Sequence, residues 1–339
     1  MKVHANGLTL DVEEFGDPAA PPVLLIMGLA MPAAAWPDEF IERLVEHGLR
    51  VIRFDNRDAG RSDRAHGPRR YGAQVAVMRA LMRLPVHAPY TLDDMANDAA
   101  GVLDALGIGR AHVVGASMGG MIAQVLAARH PERVATLTSI MSSSGNPSPR
   151  VALGSRRALR VLLRPPTRLD TAEGITAHLM HVFGVIGSPG FRSEPAVMRT
   201  QLEKVARRGY DRAGSERQLL AVLASGDRRA LLARITAPTL VIHGADDPLV
   251  PVAAGIDTAR NIPGAQLKVV PGMGHDFAPA LQPAIADWIA AHIRRAAIPH
   301  EAGGAAVPAP VAAKGATVAA LRHEASAWRR AVTGRRELP

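Results

Sequence analysis

The sequence predicts an α/β protein with a mostly parallel sheet, helices on both faces and an inserted helical segment. Three observations support this. Short apolar runs alternate with helix-period segments through the first 140 residues. The alternation resumes after about residue 235. Between these parts, residues 145–234 are helical in character and offer no convincing strand. Strands joined by helices imply right-handed crossovers and therefore parallel neighbours.

The elements follow in order. "LTLDVEEFG" reads as an early strand, and "PPVLLIM" (Pro21–Met27) is apolar enough for a strand buried on both faces. A helix is expected from about Trp36 to His47, ending at Gly48. "LRVIRFD" is the next strand. Residues 65–90 form an extra excursion, helical from Ala73 to Leu84. Thr91 caps a helix to Leu106, with Asp93 and Asp94 in its first turn and Gly107 after it. "AHVVGA" is a strand, followed by a helix from Met118 to His130 that Pro131 stops, and "RVATLTSIM" is another strand. Late in the chain, "APTLVIHG" and "AQLKVVPG" are strands flanking a helix near Val252–Ile262, and a last helix covers Pro279 to about Ala296.

These elements divide the chain into a first core part (1–144), a helical insertion (145–234) and a second core part (235–296). From Ala297 to residue 339 the texture is Ala, Pro and Gly rich, a linker composition. Within it, "TVAALRHEASAWRRAVTGRR" fits a short amphipathic helix carrying Trp328 and fits disorder equally. No internal repeat is evident.

Composition narrows the function classes. With 47% hydrophobic residues in 339, the chain can bury a sizeable core. The absence of cysteine excludes disulfides, thiol chemistry and cysteine metal sites. The first residues lack a signal-peptide apolar segment, and no apolar run of about 18 residues exists, so a cytoplasmic protein without membrane insertion is expected. The net charge is +9, and it is concentrated: residues 150–234 hold 16 Lys and Arg against 7 Asp and Glu, while the rest balances at 24 each. Arg156, Arg157, Arg160 and Arg164 are spaced like a helix face, and 4% aromatics leaves little material for stacking bases. A solvated Arg-rich face is the reading, without nucleic-acid binding.

Parallel sheets form their sites at the C-terminal ends of strands, and polar signals sit at several such ends. "VVGASMGGMI" places Ser117 between Gly115 and Gly119, after a strand and before a helix. That is the context of the G-x-S-x-G turn that exposes a nucleophile, with glycines where side chains would collide. A plain strand-to-helix turn capped by Ser117 fits the same ten residues. "PGMGHDF", after the last strand, carries His275, a residue able to act as base near neutral pH. "HGADDPLVP", after the preceding strand, carries an acid able to hold and stabilise the imidazole. A tetrahedral oxyanion needs backbone donors. The N–H of Met118 follows the serine, and Leu29 supplies a second from the loop after "PPVLLIM", where Gly28 permits close approach. Four signals at four strand ends argue jointly for a Ser-His-Asp site.

With these segments in view, the chain resembles the α/β-hydrolase superfamily over about residues 8–296. "LLIMGLAMPAAAWPDEF", "VIRFDNRDAGRSD", "HVVGASMGGMIAQ", "HGADDPLVP" and "VVPGMGHDF" are similar to its bacterial serine-esterase branch, and within it to the aclacinomycin methylesterase type. The resemblance implies an eight-stranded, mostly parallel sheet, a helical cap, and no metal or cofactor. It implies Ser117 as nucleophile, His275 as base, and Leu29 and Met118 as oxyanion donors. The family pattern G-x-x-D-P selects Asp247 as the acid, with Asp246 as the fallback. Asp55, Arg57 and Ser62 match a structural turn of the family. Met27 stands where relatives often carry histidine, which makes the pocket more apolar.

The function expected is that of a serine hydrolase cleaving small-molecule carboxylic esters with an apolar part, as a monomer or homodimer. A serine nucleophile disfavours dehalogenase chemistry. It leaves lactone, thioester and carbon–carbon bond hydrolysis, cofactor-free perhydrolysis and a near-silent receptor open. Leu179, Met180, Val182 and Phe183 either face the substrate or form the core of the insertion.

Overall fold

A computed structural model describes residues 1–297 except 66, 68–69 and 164–170. The expectations for the tail from residue 298 lie outside the described residues. The chain opens with β1 (Lys2–Ala5), β2 (Leu8–Phe15), β3 (Pro22–Ile26), α1 (Asp38–Glu46), β4 (Arg50–Phe54), α2 (Ala73–Leu81), α3 (Leu92–Ala105), β5 (Ala111–Ala116), α4 (Met118–Arg129) and β6 (Val134–Ile140). Helices α5 (Pro149–Ala152), α6 (Arg156–Leu163), α7 (Ala172–Ile186), α8 (Pro195–Arg208), α9 (Arg212–Ser225) and α10 (Arg229–Leu232) follow without an intervening strand among the described residues. The chain returns through β7 (Thr239–Gly244), α11 (Val252–Asn261), β8 (Gln266–Val270) and α12 (Gln282–Ala297).

The sheet has eight strands in the order β1-β2-β4-β3-β5-β6-β7-β8. The β1–β2 and β2–β4 pairs are antiparallel, and every other pair is parallel. Strand β1 escaped the sequence reading, although its signal is present. Asn6 and Gly7 take φ of 50° and 75° between Ala5 and its partner Leu8, the two-residue turn that Asn-Gly favours in a hairpin. The helix expected from Trp36 begins at Asp38, because Trp36 is buried beneath it, stacked on Phe40 with ring centroids 5.4 Å apart.

Strand β3 shows why these runs are so apolar. Leu24 and Ile26 pack on one side with Leu92, Met95 and Leu103 of α3 and Ile122 and Leu126 of α4. Val23 and Leu25 face the other side, among Phe40 and Leu44 of α1 and Ile285 and Ile289 of α12. Both faces are covered, so alternation with polar residues is lost. Helix α3 starts as expected. The Asp94 carboxylate accepts the Thr91 N–H at 2.7 Å and the Thr91 hydroxyl at 2.9 Å.

The helices between β6 and β7 are anchored to the loop after β4 by buried charge. Arg208, at the end of α8, donates through Nε to both oxygens of Asp55 at 3.0 and 2.9 Å, through Nη2 to Asp11 at 2.9 Å, and through Nη1 to Glu13. Arg217 of α9 grips Asp58 at 2.9 and 2.6 Å. Asp55 is fully buried and also accepts the Ala33 and Arg61 N–H groups. Ser62 donates to the Asp55 carbonyl, and Arg57 pairs with buried Asp98 at 2.5 Å. No helix among the described residues is long and apolar enough to cross a membrane.

Two predictions follow from the buried polar groups. Arg208→Met should destabilise the fold by on the order of 3–5 kcal/mol, because it leaves fully buried Asp55 without a cation and removes a partner from Asp11 and Glu13; urea unfolding measures this. His112 of β5, with Thr136 Oγ1 3.0 Å from its Nδ1, is pushed down to about 4 by burial, then by His292 and Arg110. The unfolded chain protonates histidine near pH 6.5, so between there and pH 4 it binds the extra proton. Stability therefore falls as pH drops through that window. Melting temperatures at pH 7.5 and 5 should differ less in His112→Gln than in the native chain.

Candidate active site

The site forms where β3, β5, β7 and β8 end. Ser117 lies between β5 and α4 with φ 55° and ψ −121°, a conformation that costs a non-glycine residue on the order of 1–3 kcal/mol. Its N–H donates to the Ile140 carbonyl at 2.9 Å, and its carbonyl accepts the Ser142 hydroxyl at 2.8 Å and the Gly120 N–H at 3.0 Å. The flanking glycines are required by contact. A Cβ on Gly115 would stand 2.1 Å from the Gly119 carbonyl oxygen, and one on Gly119 would stand 2.0 Å from that of Ile26. Gly28 lets the loop after β3 lie against Ser117, whose Cβ is 3.1 Å from where a Gly28 Cβ would sit.

Ser117, His275 and Asp247 come together in one hydrogen-bonded line. His275 Nε2 lies 3.0 Å from Ser117 Oγ, and His275 Nδ1 lies 2.7 Å from Asp247 Oδ2. An ionised carboxylate only accepts, so Nδ1 carries the hydrogen and Nε2 presents a lone pair to the serine hydroxyl. The other Asp247 oxygen accepts the Leu249 and Val250 N–H groups, both at 2.8 Å. Burial works to raise the Asp247 pKa. The charge and hydrogen bond of His275, then His243 and the Val250 N–H, outweigh it and hold the carboxyl below its usual range. Buried His243 donates from Nε2 to the Val250 carbonyl at 2.9 Å, 3.7 Å from Asp247. Burial lowers its pKa against the pull of Asp247.

Asp246 goes elsewhere. Its carboxylate accepts the Gly272 N–H at 2.7 Å, bracing the loop that leads to His275. That loop is also held from the helical insertion. Its His275 N–H donates to the Ile186 carbonyl at 2.8 Å, and Gly274 N–H donates to Ser188 Oγ at 2.9 Å. The Ser188 N–H and hydroxyl in turn donate to Asp276. Burial raises the Asp276 pKa and outweighs these bonds.

Met118 is the first residue of α4, so its N–H has no partner within the helix and points with the positive end of the helix dipole. Leu29 sits in a loop whose following N–H groups are all occupied: Ala30 by Gln218 at 2.8 Å, Met31 by the Gly28 carbonyl at 3.3 Å, and Ala33 by Asp55 at 2.6 Å. Buried Met27 accepts at its carbonyl from Asn56 Nδ2 at 2.9 Å. Of the apolar stripe on α7, Leu179 packs with Leu202 and Val205 of α8, and Val182 packs with Ala158 and Val161 of α6. These two are core of the helical insertion, while Met180 and Phe183 are only partly buried. Sequence reasoning missed Ser142, Ser188 and Gln218, whose partners lie 25 or more residues away along the chain, and His243, whose partners Asp247 and Val250 are near in sequence.

A site of this build, at strand ends of a mostly parallel eight-stranded sheet, defines a class, and the comparisons agree. Residues 21–278 match the family model described as alpha/beta hydrolase fold. Rhodomycin D methylesterase DauP of Streptomyces sp. (strain C5) is 34% identical, over 87% of this chain and 98% of that protein. Rhodomycin D methylesterase DnrP of Streptomyces peucetius is 32% identical, over 86% and 97%. The enol-lactonase of Burkholderia xenovorans LB400 superposes with a TM-score of 0.61 at 24% identity, over 87% of this chain and 100% of the enzyme, and shares the fold. The chain belongs to the alpha/beta hydrolase family, as one of its carboxylic-ester hydrolases.

The tight turn makes a direct test. Gly119→Ala drives a methyl group into the Ile26 carbonyl and should cost about 3 kcal/mol or more, through overpacking against backbone. Chemical denaturation with a parallel assay of ester hydrolysis checks it. Native stability and activity together would contradict the close approach.

Proposed function

We propose that the chain hydrolyses small-molecule carboxylic esters through a covalent acyl-enzyme, with Ser117 as nucleophile, His275 as base and Asp247 as its orienting acid. The observation that carries this reading is the continuous line Ser117 Oγ–His275 Nε2 and His275 Nδ1–Asp247 Oδ2, at 3.0 and 2.7 Å. His275 takes the hydroxyl proton as Ser117 Oγ attacks the carbonyl carbon. The negative charge that develops on the carbonyl oxygen is met by the Leu29 and Met118 N–H groups. His275 passes the proton to the departing alcohol, leaving the acyl-enzyme. Water then attacks with His275 again taking a proton, and returning it to Ser117 Oγ releases the acid. Asp247 keeps the imidazole in the working tautomer and stabilises its charged form.

The substrate we propose is a methyl ester whose acid part is largely apolar, with the 145–234 helices as a cap over it. The names of the two Streptomyces relatives as methylesterases support the ester type. The apolar part is supported by Met27 in place of a polar residue before Gly28, and by Leu29, Met31 and Phe183 around the loop and insertion. A lactone is an internal ester and suits the same attack. Thioester and carbon–carbon bond hydrolysis would use the same nucleophile.

Ser117→Ala should reduce turnover of p-nitrophenyl acetate to background. Asp247→Asn should lower kcat on the order of 10⁴-fold if the acid acts as in serine proteases. Asp246→Asn, which disturbs only the loop brace, should cost less than about tenfold by the same comparison. Steady-state kinetics of the three purified variants decide it, and a larger loss in Asp246→Asn than in Asp247→Asn would move the acid.

A further inference from the structure

We infer that Gln218 of α9 is a positioning residue for the oxyanion loop, linking the helical insertion to the chemistry; this rests on the serine-hydrolase reading above. Gln218 is fully buried, at 0% exposure, although glutamine has no intrinsic preference for such a place. Both ends of its amide are used on backbone. Its Oε1 accepts the Ala30 N–H at 2.8 Å, and its Nε2 donates to the Arg57 carbonyl at 2.7 Å. One side chain from the insertion therefore joins the loop after β3 to the loop after β4.

The joined residues are constrained ones. Ala30 has φ 63°, in the left-handed region that an L-residue with a Cβ avoids. It directly follows Leu29, so the direction of the Ala30 N–H sets the peptide plane next to the proposed donor. Without an acceptor at 2.8 Å, the Ala30 N–H is left unpaired and the loop has reason to relax to a common backbone conformation. The platform behind Gln218 is rigid. Arg57 is held by Asp98 through Nε and Nη2, both at 2.5 Å, and the neighbouring Arg217 grips Asp58 at 2.9 and 2.6 Å. Gly214, one turn earlier on α9, lies so close to the same loop that a Cβ would stand 2.4 Å from the Asp58 carbonyl oxygen. Gln218 thus transmits the position of α9 to Ala30 and, through it, to the Leu29 N–H.

A donor displaced in this way weakens transition-state binding and leaves ground-state binding in place. In Gln218→Met, the pre-steady-state acylation rate on p-nitrophenyl acetate should fall about tenfold to a hundredfold. The dissociation constant of the ester should stay within about twofold by the same argument. The inhibition constant of phenylboronic acid, which forms a tetrahedral adduct, should rise by the same factor as the acylation rate falls. If Gln218→Met does not fold, Gln218→Asn, whose amide is one methylene short of spanning both loops, carries the same expectation. An unchanged acylation rate and boronate constant in a folded variant overturns the inference. Ser117→Ala separates the two levels: if it retains turnover, the reading of the site fails, whereas if it is dead and Gln218→Met is fully active, only the role of Gln218 fails.

Discussion

Ser117 is held in a backbone conformation that an L-residue avoids, and the surrounding structure is arranged to keep it there. At φ 55° the turn between β5 and α4 lifts the hydroxyl clear of the sheet. It survives because β5, α4 and β3 pack too closely for the turn to relax. Gly115 and Gly119 give the backbone room to approach, the Ile140 carbonyl holds the Ser117 N–H, and Ser142 binds its carbonyl. The strain is local, and the packing of a whole parallel sheet opposes its release.

The same turn fixes where other groups must come from. Strand β3 ends beside it, so the loop carrying Gly28 and Leu29 lies against Ser117. Strands β7 and β8 lie further along the sheet, and their loops bring Asp247 and His275 back over it. The helical insertion touches both loops, at Ile186 and Ser188 on the His275 side and at Gln218 on the Leu29 side. The insertion is therefore a mechanical part of the site. Its own attachment depends on buried charge, with Arg208 and Arg217 set against Asp11, Glu13, Asp55 and Asp58. Such pairs add little net stability but are costly to break, which makes them registers of position.

Electrostatics around Asp247 follow the same economy of placement. A buried carboxylate is unfavourable alone, and here it accepts two backbone N–H groups and the His275 N–H while buried His243 stands behind it. The ionised acid in turn decides which imidazole nitrogen faces Ser117.

Much of this was legible in the chain. Period and run length gave the strands and helices, because a strand covered on both faces leaves no polar positions. The order serine, acid, histidine at strand ends pointed to Ser117, to the Asp246–Asp247 pair and to His275, the family resemblance favoured Asp247, and the glycines around Ser117 reported close backbone approach. Asp246 and Asp247 are chemically identical neighbours, so composition could not separate them. Only the folded loops show that one carboxylate reaches His275 while the other binds the Gly272 N–H. The roles of Gln218, Ser142, Ser188 and Arg208 were silent for a related reason. A single glutamine or arginine on a helix carries no local signature, and its partners lie up to 197 residues away. By itself, the sequence determined most of the strands and helices, the presence of a tight turn at Ser117 and the residue types available to it, since these depend on neighbours along the chain. The tertiary structure decided which of those side chains meet, because hydrogen bonding between loops depends on distances of tenths of an ångström that only packing sets.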